Sequence, residues 1–228
     1  TAFNDYLGWT HTVNAFDGQD LYKLDIVSGR YRWNGMTVPF WQREQKIKVK
    51  RPNGSWIKQN FTVKHSIHGP VVSESESKAL ALRVVGLDQP RALEQWWKMG
   101  RSRNLQEFEA AVQGLQIPMF TIVYADRAGH VMSLFNGRVP IRPKGSWDWT
   151  GTVPGDTDQS LWTTTHPYRD LPRVLDPPSG WLQNANDPPW TTTFPRALDP
   201  SEFPPYMAPR SMSFRAQMSA NILAEDKE

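Results

Sequence analysis

The sequence predicts an α+β fold, β-rich with a few helices, on three observations. Through about residue 70, apolar and polar residues alternate with a period of two. After Pro90 the apolar spacing changes to that of a helix. Two runs of alternating residues are punctuated by turn chemistry, at Pro52-Asn53-Gly54 and at Asp126-Arg127-Ala128-Gly129.

Taken in order, Leu21, Lys23 and Asp25 alternate with Tyr22, Leu24 and Ile26, the pattern of a half-buried strand. Ile47-Lys48-Val49-Lys50 and Trp56-Ile57-Lys58 flank the Asn-Gly pair and are expected to form a hairpin. Lys46, Lys48 and Lys50 then share one strand face, which reads as a solvated outer face rather than an anion site. Pro90 opens a helix through Ala92–Lys98, since proline is tolerated in a first turn. Asn104 is a good N-cap for a second helix over residues 105–112, with Leu105, Phe108 and Val112 on one stripe. Phe120–Ala125 and Val131–Phe135 are strand-like and form the second hairpin. Residues 137–209 are rich in Pro, Gly, Asp and Trp with little periodicity, and a helix is expected over residues 209–224.

The 228 residues fall between one large domain and two small ones at ~100–200 residues per domain. No repeat, low-complexity tract or linker divides them, so residues 1–228 are expected to form a single unit. Lys+Arg is 26 and Asp+Glu 23, a net charge of +3 that is too even for a nucleic-acid binder. With Cys 0, thiolate chemistry, disulfides and cysteine-ligated zinc are excluded. No apolar run approaches the ~20 residues of a membrane-spanning helix. The chain opens at Thr1 without an initiator Met or a leader and closes on a charged, helix-like tail, so a fragment is expected.

Generic catalytic signatures are absent: no Gly-x-Ser-x-Gly elbow, no phosphate-binding glycine loop and no His-Glu-x-x-His. His65 and His68 would point to opposite faces of a strand and do not make a shared metal site. Thr1 raises N-terminal threonine catalysis, but Asn4-Asp5 reads as a turn where such a nucleophile needs to open a buried strand.

Several segments, in order along essentially the whole chain, resemble the β-subunit of the penicillin acylase family. They are Gly8-Trp9-Thr10-His11-Thr12-Val13-Asn14, Asp17-Gly18-Gln19-Asp20-Leu21-Tyr22 and His68-Gly69-Pro70-Val71-Val72. Tyr124-Ala125-Asp126-Arg127-Ala128-Gly129, Asn136-Gly137-Arg138-Val139-Pro140, Gln183-Asn184-Ala185-Asn186-Asp187-Pro188 and Ala208-Pro209-Arg210 complete the set. Trp-Thr-His-Thr-Val and Gln-Asn-x-Asn-Asp are especially similar to the acyl-homoserine-lactone acylase branch.

The resemblance implies part of a four-layer αββα N-terminal-nucleophile hydrolase fold, in a periplasmic, self-processing amide hydrolase. It places Thr1 inside the β-chain, so the N-terminal Ser nucleophile and the α-subunit are expected outside these residues and the isolated chain is expected to be inactive. By motif position it makes Val13 a backbone N–H donor and Asn186 a side-chain NH₂ donor to the oxyanion, with Arg210 orienting the site. It makes Asp17, Gln19 and Asp20 candidate ligands of a structural Ca²⁺, whose preference is for hard oxygen donors. No organic cofactor is implied. Sheet edges left unpaired in a fragment are expected to drive self-association. The acyl-amide substrate stays open between acyl-homoserine lactones and penicillin-like β-lactams. The alternative reading is a non-catalytic, Trp-rich module that binds carbohydrate or peptide.

Overall fold

Alternating residues become strands, and helical spacing becomes helices, close to where the sequence expects them. The computed structural model describes residues 1–89, 91–209 and 211–226. In chain order it has β1 (Ala2–Phe3), β2 (Leu7–Thr12), β3 (Gln19–Val27), β4 (Arg30–Trp33), β5 (Met36–Val38) and β6 (Trp41–Lys50). Next come β7 (Trp56–Ser66), β8 (Gly69–Glu74), β9 (Lys78–Val84), α1 (Ala92–Arg101) and α2 (Leu105–Val112). β10 (Thr121–Asp126), β11 (Val131–Phe135), β12 (Thr152–Pro154), β13 (Arg173–Leu175) and α3 (Phe214–Glu225) complete the chain.

These elements form two compact units, one from residues 1–18, 85–140 and 164–228, the other from 19–84 and 141–163. The two units are interleaved in sequence, and a search for linkers cannot see that.

In the first unit, five antiparallel strands run in the order β1-β2-β10-β11-β13. Side chains alternate across a strand, so Leu7 and Trp9 of β2, Ile122 and Tyr124 of β10, and Met132 and Leu134 of β11 reach one core. Met99 of α1 and Phe108 and Val112 of α2 enter the same core. The Phe108 ring lies 5.4 Å from Trp9 and 4.7 Å from Tyr124. Burying each such side chain contributes about 1.5–3 kcal/mol. Asn104 caps α2 as expected, its side chain accepting from Glu107 N at 2.9 Å. α3 starts later than residue 209 because Ser213 caps it, accepting from Ala216 N.

In the second unit the strand order is β5-β4-β3-β9-β8-β7-β6, with β12 added in parallel to β3. Gly69 opens β8 at φ +145, and a Cβ there would lie 2.1 Å from the Leu82 carbonyl oxygen. That close approach is why His68 is followed by glycine. The β6–β7 hairpin is present, but Arg51 N bonds to Ser55 O across a longer loop than a two-residue Asn-Gly turn.

Candidate active site

The first unit gathers the ends of two sequence motifs. β2 ends at Thr12 and the chain turns at Val13, whose side chain is 52% exposed. Asn14 follows, buried, and anchors the turn on both sides. Its Nδ2 donates to Asn136 O at 2.7 Å and its Oδ1 accepts from Phe120 N at 2.9 Å. Asn136 in turn donates to Ile117 O and Met119 O. The Val13 backbone is therefore held between a paired strand and a buried amide network, while its side chain faces outward.

The second motif is a loop that folds on its own side chains. Asp187 is buried, with Oδ1 accepting from Ala185 N at 2.7 Å and Oδ2 accepting from Gln183 Nε2 at 2.8 Å and from the Thr191 hydroxyl. Asn184 Oδ1 accepts from Asn186 N at 3.1 Å and from Thr12 Oγ1 at 2.5 Å, which ties the loop to the end of β2. Asn186 itself sits at φ +65, a left-handed conformation that asparagine tolerates better than most residues. That backbone turns its side chain toward Val13, and Nδ2 donates to the Val13 carbonyl oxygen at 2.8 Å.

Arg215, in the first turn of α3, completes the arrangement. Its Nη2 donates at 2.6 Å both to Asn186 Oδ1 and to Ala185 O. With Oδ1 taken by a cation, the amide has one orientation, and its NH₂ faces the Val13 turn. An NH₂ group has two hydrogens. One is used by Val13 O, and the other can meet an incoming oxygen.

His11 borders this region and is built to stay neutral. Its Nε2 accepts from the indole N–H of Trp96 at 2.9 Å and of Trp9 at 3.3 Å, so that nitrogen carries a lone pair. Burial, the leading cause, holds the imidazole down to about 4. His11 is thus a packing and hydrogen-bonding residue rather than an acid or base. Thr1 is exposed, its hydroxyl 3.3 Å from that of Thr10, not in the buried cleft that a nucleophile of this type needs.

Val13 and Asn186 lie together, joined by the Asn186 Nδ2 hydrogen bond to Val13 O. Arg210, the third expected residue, lies outside the described residues. Thr12, Asn14, Asn184 and Arg215 were not singled out. The first three stand inside the quoted motifs, one or two positions from the expected donors. Arg215 has no motif signal.

Of the expected calcium ligands, Asp20 is engaged by the protein's own groups. The resemblance offers a cation the Gln19 carbonyl and two carboxylates; on β3 Gln19 is exposed and Asp20 buried. Asp20 forms an ion pair with Arg142 at 3.1 Å, with both side chains 1% exposed. Its Oδ2 also accepts from Trp162 Nε1 at 2.7 Å. A divalent ion at that carboxylate would meet a guanidinium charge already in position. Asp17 is half-buried, and no cluster of three His, Asp or Glu suited to a metal occurs among the described residues. Of the eleven tryptophans, Trp9, Trp162 and Trp190 are buried, Trp41, Trp56 and Trp97 are exposed and the other five are half-buried, so they favour neither reading.

Comparison with known proteins gives this geometry a family. The penicillin amidase family model matches residues 1–228. The chain is 30% identical over 149 residues to the acyl-homoserine lactone acylase PvdQ of Pseudomonas fluorescens, a match covering 61% of this chain and 19% of that protein. It is 30% identical over 216 residues to penicillin acylase 2 proenzyme of a Pseudomonas species, covering 92% and 27%. Penicillin G acylase of Escherichia coli is 27% identical over 205 residues, covering 82% and 22%. The chain thus spans about a fifth to a quarter of the length of these curated relatives. Among solved structures, a thermostable penicillin G acylase from Alcaligenes faecalis aligns with a TM-score of 0.73 at 23% identity, over 82% of this chain and 34% of that one. The fold is therefore that of part of a penicillin G acylase, and the chain belongs to the penicillin amidase family.

Proposed function

We propose that this chain supplies the oxyanion-stabilising part of an acylase that hydrolyses the amide bond of N-acyl substrates. The substrate class is acyl-homoserine lactones or penicillin-like β-lactams. The nucleophile in this reading is an N-terminal Ser outside these residues, freed by self-processing in the periplasm, with its own α-amine as base. The isolated chain is then inactive.

The observation that carries the reading is the Asn186 side chain, fixed by Arg215 on one side and by Val13 O on the other. When a hydroxyl oxygen adds to an amide carbon, the carbonyl π electrons move onto oxygen and a full negative charge develops there. Donors already in place stabilise that charge without reorganising at the moment of reaction. The free hydrogen of Asn186 Nδ2 and the Val13 backbone N–H are assigned that task. A backbone donor also explains how a residue with an exposed apolar side chain serves chemistry. As the amide C–N bond breaks, the charge returns to the carbonyl and the amine leaves with a proton.

Asn186→Ala in the whole acylase tests this. Losing one oxyanion donor raises the barrier by about 2.7–4 kcal/mol, so kcat should fall by roughly 10²–10³-fold with a smaller change in KM. An unchanged kcat removes Asn186 from the site.

A further inference from the structure

The β6–β7 hairpin is the most unusual surface of the chain. β6 ends its sheet, and among the described residues it pairs only with β7, in an unbroken register from Trp41 opposite His65 to Lys50 opposite Trp56. That register sorts the side chains. One face is mostly apolar, with Trp41, Ile47, Val49 and Phe61 and a single Arg43 among them; the other is mostly basic, with Lys46, Lys48, Lys50 and Lys58 beside one Glu44 and the exposed Trp56. Trp41, Ile47 and Phe61 are 58%, 45% and 42% exposed. Residues 41–66 hold seven Lys and Arg against one Glu, a local +6 in a chain whose net charge is +3.

We infer that the free edge of β6 is a docking site for an extended strand of another polypeptide in which acidic and apolar residues alternate. Three features choose this occupant. A ten-residue edge offers unpaired backbone N–H and C=O groups, which a polypeptide strand satisfies and a lipid surface does not. A strand laid along β6 places alternate side chains beside Lys46, Lys48 and Lys50, where carboxylates complement the charge. Its remaining side chains lie beside Ile47 and Val49, where apolar groups extend the exposed face. A second copy of β6 is the wrong partner, because antiparallel self-pairing would set lysines against lysines. For this edge, the self-association expected of the fragment gives way to an acidic partner.

The test uses the intact protein and a labelled ten-residue peptide alternating glutamate and valine, followed by fluorescence anisotropy and hydrogen exchange. The expected result is saturable binding that slows amide exchange over residues 41–50. Binding should weaken about tenfold or more between 50 mM and 0.5 M salt, as screening acts on exposed charges. The triple variant Lys46→Glu, Lys48→Glu, Lys50→Glu should reject this peptide and instead take one alternating lysine and valine. A urea midpoint close to that of the wild type, followed by tryptophan fluorescence, shows that the variant is folded. Equal binding of a peptide with its glutamates in one block would overturn the proposal, reducing it to charge alone. So would capture on phosphatidylglycerol vesicles without peptide binding, or concentration-dependent dimerisation that protects β6 without any peptide.

Discussion

Replacing Arg142 by methionine removes the cation beside Asp20 and keeps the bulk of the stem. Both side chains are 1% exposed in the native pair, so the carboxylate left behind is cut off from solvent. Removing one partner of a buried ion pair typically destabilises by about 3–5 kcal/mol, because the remaining charge is uncompensated. The double variant Asp20→Leu, Arg142→Met removes both charges and should recover much of that loss. Urea unfolding followed by tryptophan fluorescence measures this as a shift of midpoint at constant slope. The same titration tests the cation. A ligand at 100 times its Kd raises stability by about 2.7 kcal/mol, so a calcium site at Asp20 would lift the wild-type midpoint when the ion is added. No shift with calcium is expected. A calcium-dependent rise in the wild type, or a double variant no more stable than Arg142→Met, would refute the reasoning.

Two further outcomes follow from named contacts. His68 is buried at 1% exposure and stacks on Tyr22 at 4.4 Å, and burial, reinforced by the Arg83 charge, holds it down to about 4 from 6.5. Its folded value lies below its unfolded one, so the unfolded chain binds the extra proton first. The stabilisation is complete above pH 6.5 and is lost as pH falls toward 4, by up to roughly 3 kcal/mol. His68→Gln should flatten that part of the stability–pH curve measured by denaturant unfolding. Arg215→Met frees Asn186 Oδ1, so in the whole acylase kcat should fall about tenfold or more with KM little changed, and Arg215→Lys should recover part of it. Equal activity in Arg215→Met would mean the asparagine is held without it.

What could be read from the sequence was local. Asn104 capping and the two hairpins depend on neighbours a few residues away, and each is present. The site was legible only through motifs: Val13 and Asn186 lie 173 residues apart, and nothing in periodicity joins them. Asp20 shows the same limit of local reading. In a run of Asp17-Gly18-Gln19-Asp20 it reads as an oxygen ligand, while its actual partner Arg142 is 122 residues away in a stretch without regular spacing. Arg215 reaches Asn186 from a helix whose first turn is set by Ser213, four residues later than the sequence suggested. Residues 137–209 hold their order through side-chain and turn hydrogen bonds, such as those of Asp187, which leave no periodic signature.

The measurement closest to the central claim is a crystal structure of the whole acylase with a boronate or phosphonate transition-state analogue on its nucleophile. The analogue's oxyanion should lie ~2.7–3.1 Å from both Asn186 Nδ2 and the Val13 backbone nitrogen, with Arg215 still on Asn186 Oδ1. An oxyanion bound by other donors, with the Asn186 NH₂ turned away from it, would contradict the account.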